Sequence, residues 1–179
     1  MDGSGRRALT HDGLASNPLW GPSEIAFSRT RKCSRRPGGD LFPAQLWLMR
    51  PDGHGVRRLT HVDPGPLSSG LSPTAWSDDG RRLLADLDTS SDRGIPARDG
   101  AWTVEVPSGR ARQLRVRGSS VAGAGISHDG STVLATLIPV TGPFRFPADQ
   151  SRSAVATIPW QGGRPHVLAH DAASPSWTR

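Results

Sequence analysis

Two segments of this chain repeat one pattern. Ala75-Trp76-Ser77-Asp78-Asp79-Gly80-Arg81-Arg82-Leu83-Leu84-Ala85-Asp86-Leu87 is an apolar pair, a tight Asp-Gly turn and an apolar return run. Gly125-Ile126-Ser127-His128-Asp129-Gly130-Ser131-Thr132-Val133-Leu134-Ala135-Thr136-Leu137 follows the same order. This is a β-hairpin pattern, because Gly tolerates the positive φ such a turn demands and Asp braces its own backbone. An abbreviated copy stands at Leu19-Trp20-Gly21-Pro22-Ser23-Glu24-Ile25-Ala26-Phe27, and a severed one ends the chain at Pro175-Ser176-Trp177. Aligned, Trp20, Trp76, Ile126 and Trp177 recur at intervals of 56, 50 and 51 residues. A period of that size in strand-like units marks a repeat architecture.

A second hairpin lies between the first ones. Gln45-Leu46-Trp47-Leu48-Met49-Arg50 alternates, turns at Asp52-Gly53, and returns through Arg57-Arg58-Leu59-Thr60. Met1-Asp2-Gly3-Ser4-Gly5-Arg6-Arg7-Ala8-Leu9-Thr10-His11 is nearly a copy of the part from Pro51 to His61. It begins inside a turn, with the strand before it missing, the pattern expected of a truncated or mis-started reading frame. An export signal would be lost with the missing part.

The spacing predicts strands in sets of four. The first set is 19–20, 25–28, 45–50 and 57–60; the second is 74–77, 82–87, 101–106 and 111–114; the third is 121–127, 132–138, 154–159 and 166–169. Residues 7–10 read as an orphan fourth strand and 176–179 as an orphan first strand. Helical periodicity is absent, and Pro or Gly interrupts every window long enough for a helix. With Gly 21 and Pro 16 among 179 residues, the composition fits many short strands joined by turns. The expected fold class is all-β: a β-propeller segment of about three four-stranded antiparallel blades, an incomplete ring. Its parts are 1–16, the last strand of a preceding blade; blades at 17–64, 65–117 and 118–172; and 173–179, the first strand of a further blade.

Charge and composition exclude some functions and leave others. The net charge of +6 comes almost wholly from Arg, since Lys32 is the sole Lys. Basic and aromatic residues do not alternate along one strand as in base-stacking platforms, so the charge alone does not argue for nucleic-acid binding. The single Cys33 excludes an internal disulfide framework. No stretch approaches the roughly 20 apolar residues of a membrane helix, and the N-terminus has no apolar signal region.

The pattern Pro73-Thr74-Ala75-Trp76-Ser77-Asp78-Asp79-Gly80, then Leu83-Leu84-Ala85, resembles the first hairpin of the WD40-like repeats of TolB-type propellers. Leu46-Trp47-Leu48-Met49-Arg50-Pro51-Asp52-Gly53, then Arg57-Arg58-Leu59-Thr60, resembles the second hairpin of that repeat. The match extends over nearly the whole chain, with Trp20, Trp76, Ile126 and Trp177, and the turn pairs Asp52-Gly53, Asp79-Gly80 and Asp129-Gly130, as its structural positions. It departs locally: the first unit lacks the Asp-Gly turn, the third has Ile126 where Trp is usual, and Gly162-Gly163 replaces the second Asp-Gly. The resemblance implies a fold and a tendency to bind proteins, and it does not imply a reaction.

In a propeller the short turns share one face, and the loops 29–44, 88–100 and 139–153 share the other. Variable loops on a regular scaffold are where binding resides, unless they are only tolerated insertions. The basic run Arg29-Thr30-Arg31-Lys32-Cys33-Ser34-Arg35-Arg36 is the foremost candidate, with Arg29, Arg31, Lys32, Arg35 and Arg36 expected in solvent at a loop tip. Other constellations carry less. Gly125-Ile126-Ser127-His128-Asp129 falls one residue short of the nucleophile elbow, and it aligns with a hairpin where that elbow joins a strand to a helix. His11, His61 and His170 follow fourth strands in different units, too far apart for the roughly 2 Å ligation of one zinc. Asp78-Asp79 lacks the rest of a calcium loop. No catalytic, cofactor-binding or metal-ligating residue is assigned.

The leading functional expectation is a non-enzymatic propeller segment that scaffolds a protein partner through its long-loop face. One alternative is the propeller part of a prolyl-oligopeptidase-type serine peptidase, which needs a separate α/β-hydrolase module. Another is a propeller that takes carbohydrate or a small ligand in its channel. Trp20, Trp76 and Ile126 are expected on innermost strands, buried between blades. The open arc is expected to leave apolar flanks and sheet edges that favour self-association.

Overall fold

The computed structural model describes residues 7–30, 44–63, 68–89, 100–141, 146–147 and 152–177. The Asp-Gly turns at Asp79-Gly80 and Asp129-Gly130 close in the same way. The Ser77 hydroxyl donates to Asp79 Oδ1 at 2.6 Å and accepts from the Arg82 N–H at 2.9 Å, while the Arg81 N–H donates to Asp79 at 3.0 Å. Ser127 repeats this with Asp129 at 2.6 Å and the Thr132 N–H at 3.0 Å, and the Ser131 N–H donates to Asp129 at 3.0 Å. Gly80 and Gly130 take φ values of 68° and 70°, the left-handed region that excludes most side chains. Trp20-Gly21-Pro22-Ser23-Glu24-Ile25 makes the equivalent turn two residues shorter, closed by the Gly21 N–H on the Glu24 carbonyl at 2.9 Å.

These turns and their partners organise three antiparallel meanders. Blade 1 is β1 (Ala15–Trp20), β2 (Ile25–Arg29), β3 (Gln45–Met49) and β4 (Arg57–Arg58). Blade 2 is β5 (Ser68–Trp76), β6 (Arg82–Thr89), β7 (Gly100–Glu105) and β8 (Arg110–Gln113). Blade 3 is β9 (Ser119–Ile126), β10 (Thr132–Thr141), β12 (Ala154–Pro159) and β13 (His166–His170), with β11 (Phe146–Pro147) pairing the far end of β10.

The second strand of blade 2 is apolar on both faces because blades 1 and 3 cover it on both sides. Ala26, Leu46 and Leu48 of blade 1 meet Leu83, Ala85 and Leu87 of blade 2. Leu84 and Ala101 of blade 2 meet Val121, Ile126 and Val133 of blade 3. On the front of blade 1, Ile25, Phe27 and Met49 are covered by Leu9, Ala15 and Trp47. Two interblade layers of this kind are the core, and burial of about 25 cal/mol per Å² of apolar surface is what holds them.

Five expectations need correction. Trp20 is not buried: it is 67% exposed, because it points to the front of blade 1, where no blade stands among the described residues. Residues 7–10 form no strand; Leu9 lies over the Gly53 turn and the Arg7 guanidinium donates to the Asp52 carbonyl. The first strand of blade 1 therefore starts earlier than expected, at Ala15, which pairs with Arg29. Residues 176–177 form no strand either, with 178–179 outside the described residues; Trp177 packs over Gly125, two positions from the repeat equivalent of Gly21, on which Trp76 lies. Lastly, β11 turns part of the expected 139–153 loop into a hairpin.

Candidate functional site

The polar residues of the turn face are committed to structure. The Ser127 hydroxyl, followed by the Ser131 N–H and hydroxyl, holds the Asp129 carboxyl down at about 2. The Ser77 hydroxyl and the Arg81 N–H likewise hold Asp79 below the ordinary carboxylate range. Ser127 therefore sits in a hairpin turn between β9 and β10, with its hydroxyl directed to Asp129, and it does not crown a strand-to-helix elbow. Across the blades, Asp78 and His128 occupy the same repeat position, and the His128 Nδ1 is in hydrogen-bonding contact with the Asp78 carboxylate.

The basic run is only partly within the described residues. Arg29 ends β2, stacks its guanidinium 4.9 Å from the centre of the Trp47 ring and pairs with Asp12. It is thus part-buried rather than free in solvent, since an aromatic face and a carboxylate together hold a cation better than water alone. The Leu14 N–H, and then Arg29, lower the Asp12 carboxyl. Arg31, Lys32, Arg35 and Arg36 lie outside the described residues, as does most of the long-loop face.

Among the described residues, two concavities open at the joints between blades. A cleft of about 290 Å³ between blades 2 and 3 is lined by Thr103, Glu105, Arg110, Arg112, Trp160 and Gln161. Contacts tie its wall together: Arg82 stacks 5.4 Å from the Trp160 ring centre, Trp160 Nε1 donates to Glu105 at 2.7 Å, and Arg112 donates to the Gln161 carbonyl at 2.7 Å. A second groove of about 350 Å³ is lined by Trp20, Gly21, Pro22, Trp76, Ser77 and Asp78. Indole and carboxylate together suit a cationic or hydroxylated group, whereas the arginines of the first cleft suit an anionic one.

Sequence reasoning missed a stitch that runs through all three blades. Ser28, Asp86 and Thr136 occupy one position of the second strand, and each bonds to the chain segment that follows its blade. The Ser28 hydroxyl donates to the Leu71 carbonyl at 2.8 Å. Asp86 accepts from the Gly123 N–H at 3.0 Å and from the Thr74 hydroxyl at 3.3 Å. The Thr136 hydroxyl accepts from the Ser174 N–H at 3.2 Å. Burial raises the Asp86 carboxyl to about 6 against the opposing pull of Gly123 and Thr74. The signal was present as a lone acid inside Leu83-Leu84-Ala85-Asp86-Leu87. Among the described residues no three His, Cys, Asp or Glu side chains gather as a metal site. His11 and His61 lie outside the strands, and His170 ends β13.

No protein-family model matches the chain, and no curated protein matches it in sequence. Solved structures do match. TolB from Acinetobacter baumannii superposes with a TM-score of 0.56 at 16% identity, over 94% of this chain and 36% of that one. A putative TolB from Agrobacterium tumefaciens gives 0.53 at 14% identity, over 82% of this chain and 42% of that one. An acylaminoacyl peptidase from Pyrococcus horikoshii gives 0.51 at 19% identity, over 87% of this chain and 25% of that one. The chain thus spans well under half the length of these structures. At such identities the likeness establishes the fold, a TolB-like partial β-propeller.

Proposed function

We propose that this chain is a non-enzymatic propeller segment that scaffolds a protein partner, with its long-loop face and its basic run as the contact to an acidic surface. The observation that carries the reading is the commitment of Ser127 and Asp129 to a turn that Ser77 and Asp79 duplicate, which leaves the serine motif a structural role. The charge of +6 and the run from Arg29 to Arg36 favour an acidic partner. A labelled glutamate-rich peptide titrated into the chain tests this. Affinity is expected to fall steeply as salt rises through about 0.1 M, where the screening length is about 10 Å. It is also expected to vanish when Arg31, Lys32, Arg35 and Arg36 are changed together to Ser. Binding that ignores salt, or survives those changes, makes the run a passive loop.

A second reading has its own support in the likeness to the Pyrococcus horikoshii acylaminoacyl peptidase. In it the segment belongs to a propeller that accompanies a hydrolase, and the chemistry resides in another module. The DNA on both sides of the reading frame separates the two. A G-x-S-x-G motif in an adjoining α/β-hydrolase sequence favours the peptidase, whereas further copies of the repeat alone favour the scaffold.

A further inference from the structure

The cleft between blades 2 and 3 departs from the repeat in its charge. Ile25 and Leu83 are equivalent, because each faces the tryptophan of its own hairpin, Trp20 or Trp76. Counting from them along the ladders, Glu24 matches Arg82, Leu48 matches Thr103, and Arg57 matches Arg112. In blade 1 the arginine has a carboxylate of its own. Arg57 donates to Glu24 Oε2 at 2.8 Å, and its ladder partner Leu48 is fully buried. In blade 2 that carboxylate is replaced by a cation, Arg82, which stacks on Trp160 and donates to the Gly130 carbonyl. Arg112 is left with a neutral partner, the Gln161 carbonyl at 2.7 Å.

The rest of the cleft deepens the imbalance. Arg110 stands two residues before Arg112 on the same face of β8. Among the described residues its guanidinium has no hydrogen-bond or ion-pair partner. Glu105 faces Arg110 in the ladder, but its Oε1 accepts from Trp160 Nε1 at 2.7 Å and it forms no ion pair with Arg110. Two guanidinium groups against one carboxylate leave the cleft with an excess of positive charge, and both arginines are exposed. Thr103 adds a hydroxyl where the first joint has the methyl groups of Leu48. The volume of about 290 Å³ is at the small end for ligand pockets, room for a small acid or one side chain.

We propose that this cleft binds a monocarboxylate, which takes on Arg112 the place that the Glu24 side chain holds on Arg57, with Arg110 as its second cation. A guanidinium presents paired N–H donors that match the two oxygens of a carboxylate. Glu105 limits the charge of the ligand: a monoanion is drawn to two cations past one like charge, whereas each further negative charge adds repulsion from Glu105. The same carboxylate chemistry comes from two sources, a free small acid or the Asp or Glu side chain of a polypeptide. The site lies beside the short turns, apart from the long loops, and does not rest on the contact proposed for them.

NMR titration of the 179-residue chain tests this, with the Trp160 indole N–H, bonded to Glu105 in the cleft wall, as the local reporter. The probes are propionate, the N-acetyl N-methylamide of glutamate, and inorganic phosphate, all at constant ionic strength so that screening does not change. Both carboxylates are expected to shift the reporter saturably. Arg110→Gln and Arg112→Gln are each expected to weaken that binding by roughly fivefold or more, with circular dichroism confirming the fold. Tighter binding of the glutamate derivative supports a polypeptide side chain as the source, and propionate binding at least as tightly supports a free acid. Glu105→Gln keeps an acceptor for Trp160 but removes the charge, and is expected to raise phosphate affinity by roughly fivefold or more. Changing Arg31, Lys32, Arg35 and Arg36 to Ser is expected to leave the response unaltered, so this site and the loop contact stand or fall separately. A reporter that neither carboxylate moves at up to about 50 mM overturns the proposal. So does carboxylate binding unchanged in either arginine variant, phosphate binding tighter than both carboxylates in the parent, or phosphate affinity unchanged by Glu105→Gln.

Discussion

At the joint between blades 1 and 2, Trp76 lies across Gly21, donates its indole N–H to the Leu19 carbonyl at 3.3 Å, and has Val106 in the same apolar layer. At the joint between blades 2 and 3, the position of Trp76 is taken by the smaller Ile126, and the position of Val106 by the buried Trp160. The large aromatic has moved from the innermost strand to the outer turn, and the summed volume of the layer is roughly kept. Dense interiors respond to total volume and shape more than to the identity of one residue. The stitches differ as well: neutral Ser28 at the first joint, ionisable Asp86 at the second. One repeat thus sets a neutral hydroxyl at one joint and an ionisable carboxyl at the next.

The largest expected effect tests the volume exchange. Trp76→Ala at the first joint should cost about 3 kcal/mol, near the low end for a truncated aromatic because Trp76 is only part-buried. Trp160→Ala at the second joint should cost at least as much, since Trp160 also loses its bond to Glu105 and its stack with Arg82. Urea unfolding measures both. Losses below about 1 kcal/mol at either site would mean that the blades do not depend on these layers.

Next in size is the pH dependence of the second joint. The Asp86 carboxyl lies at about 6 in the folded chain against 3.8 unfolded, so the native state is the better proton binder between these values. Stability from this group is greatest below pH 4 and falls as pH rises through 6. The full penalty, about 3 kcal/mol for a shift of this size, is an upper estimate. Asp86→Asn keeps both hydrogen bonds, accepting from Gly123 and donating to Thr74. It should match the parent at pH 4 and exceed it by about 2 kcal/mol at pH 8. Taking the difference between variant and parent cancels the opposite slopes of Asp79 and Asp129. A difference that is flat with pH, or of the other sign, would falsify the account of this joint.

Much of the fold was legible because turn chemistry and strand alternation are local. Ser77-Asp78-Asp79-Gly80 and Ser127-His128-Asp129-Gly130 specify their hairpins within a few residues, and the four-strand sets follow from them. What was not legible depends on neighbours. Trp20 and Trp76 hold the same repeat position, and the presence of a blade in front of one of them separates exposed from packed. Arg29 reads as one of a run of cations, while its contacts with Trp47 and Asp12 come from other strands and loops. The interblade stitch joins Ser28, Asp86 and Thr136, three chemically different residues, so no shared letter marks it. Most of the long loops lie outside the described residues, and there composition speaks of charge but not of shape.

The smallest effect sharpens the comparison of the two stitches. Ser28 is buried, and its hydroxyl is neutral at every accessible pH, so Ser28→Ala leaves the Leu71 carbonyl without that donor and removes little volume. The expected cost is about 1 kcal/mol, the typical net value of a neutral hydrogen bond. That cost should be the same at pH 4, 6 and 8, in contrast to the slope at Asp86. Urea midpoints at the three pH values, with unchanged slopes of the transitions, give the comparison directly. If Ser28→Ala acquires a pH dependence that follows Asp86, the two joints do not act independently. The three blades would then behave as one cooperative stack, and the repeat could no longer be treated as a sum of separate neighbour contacts.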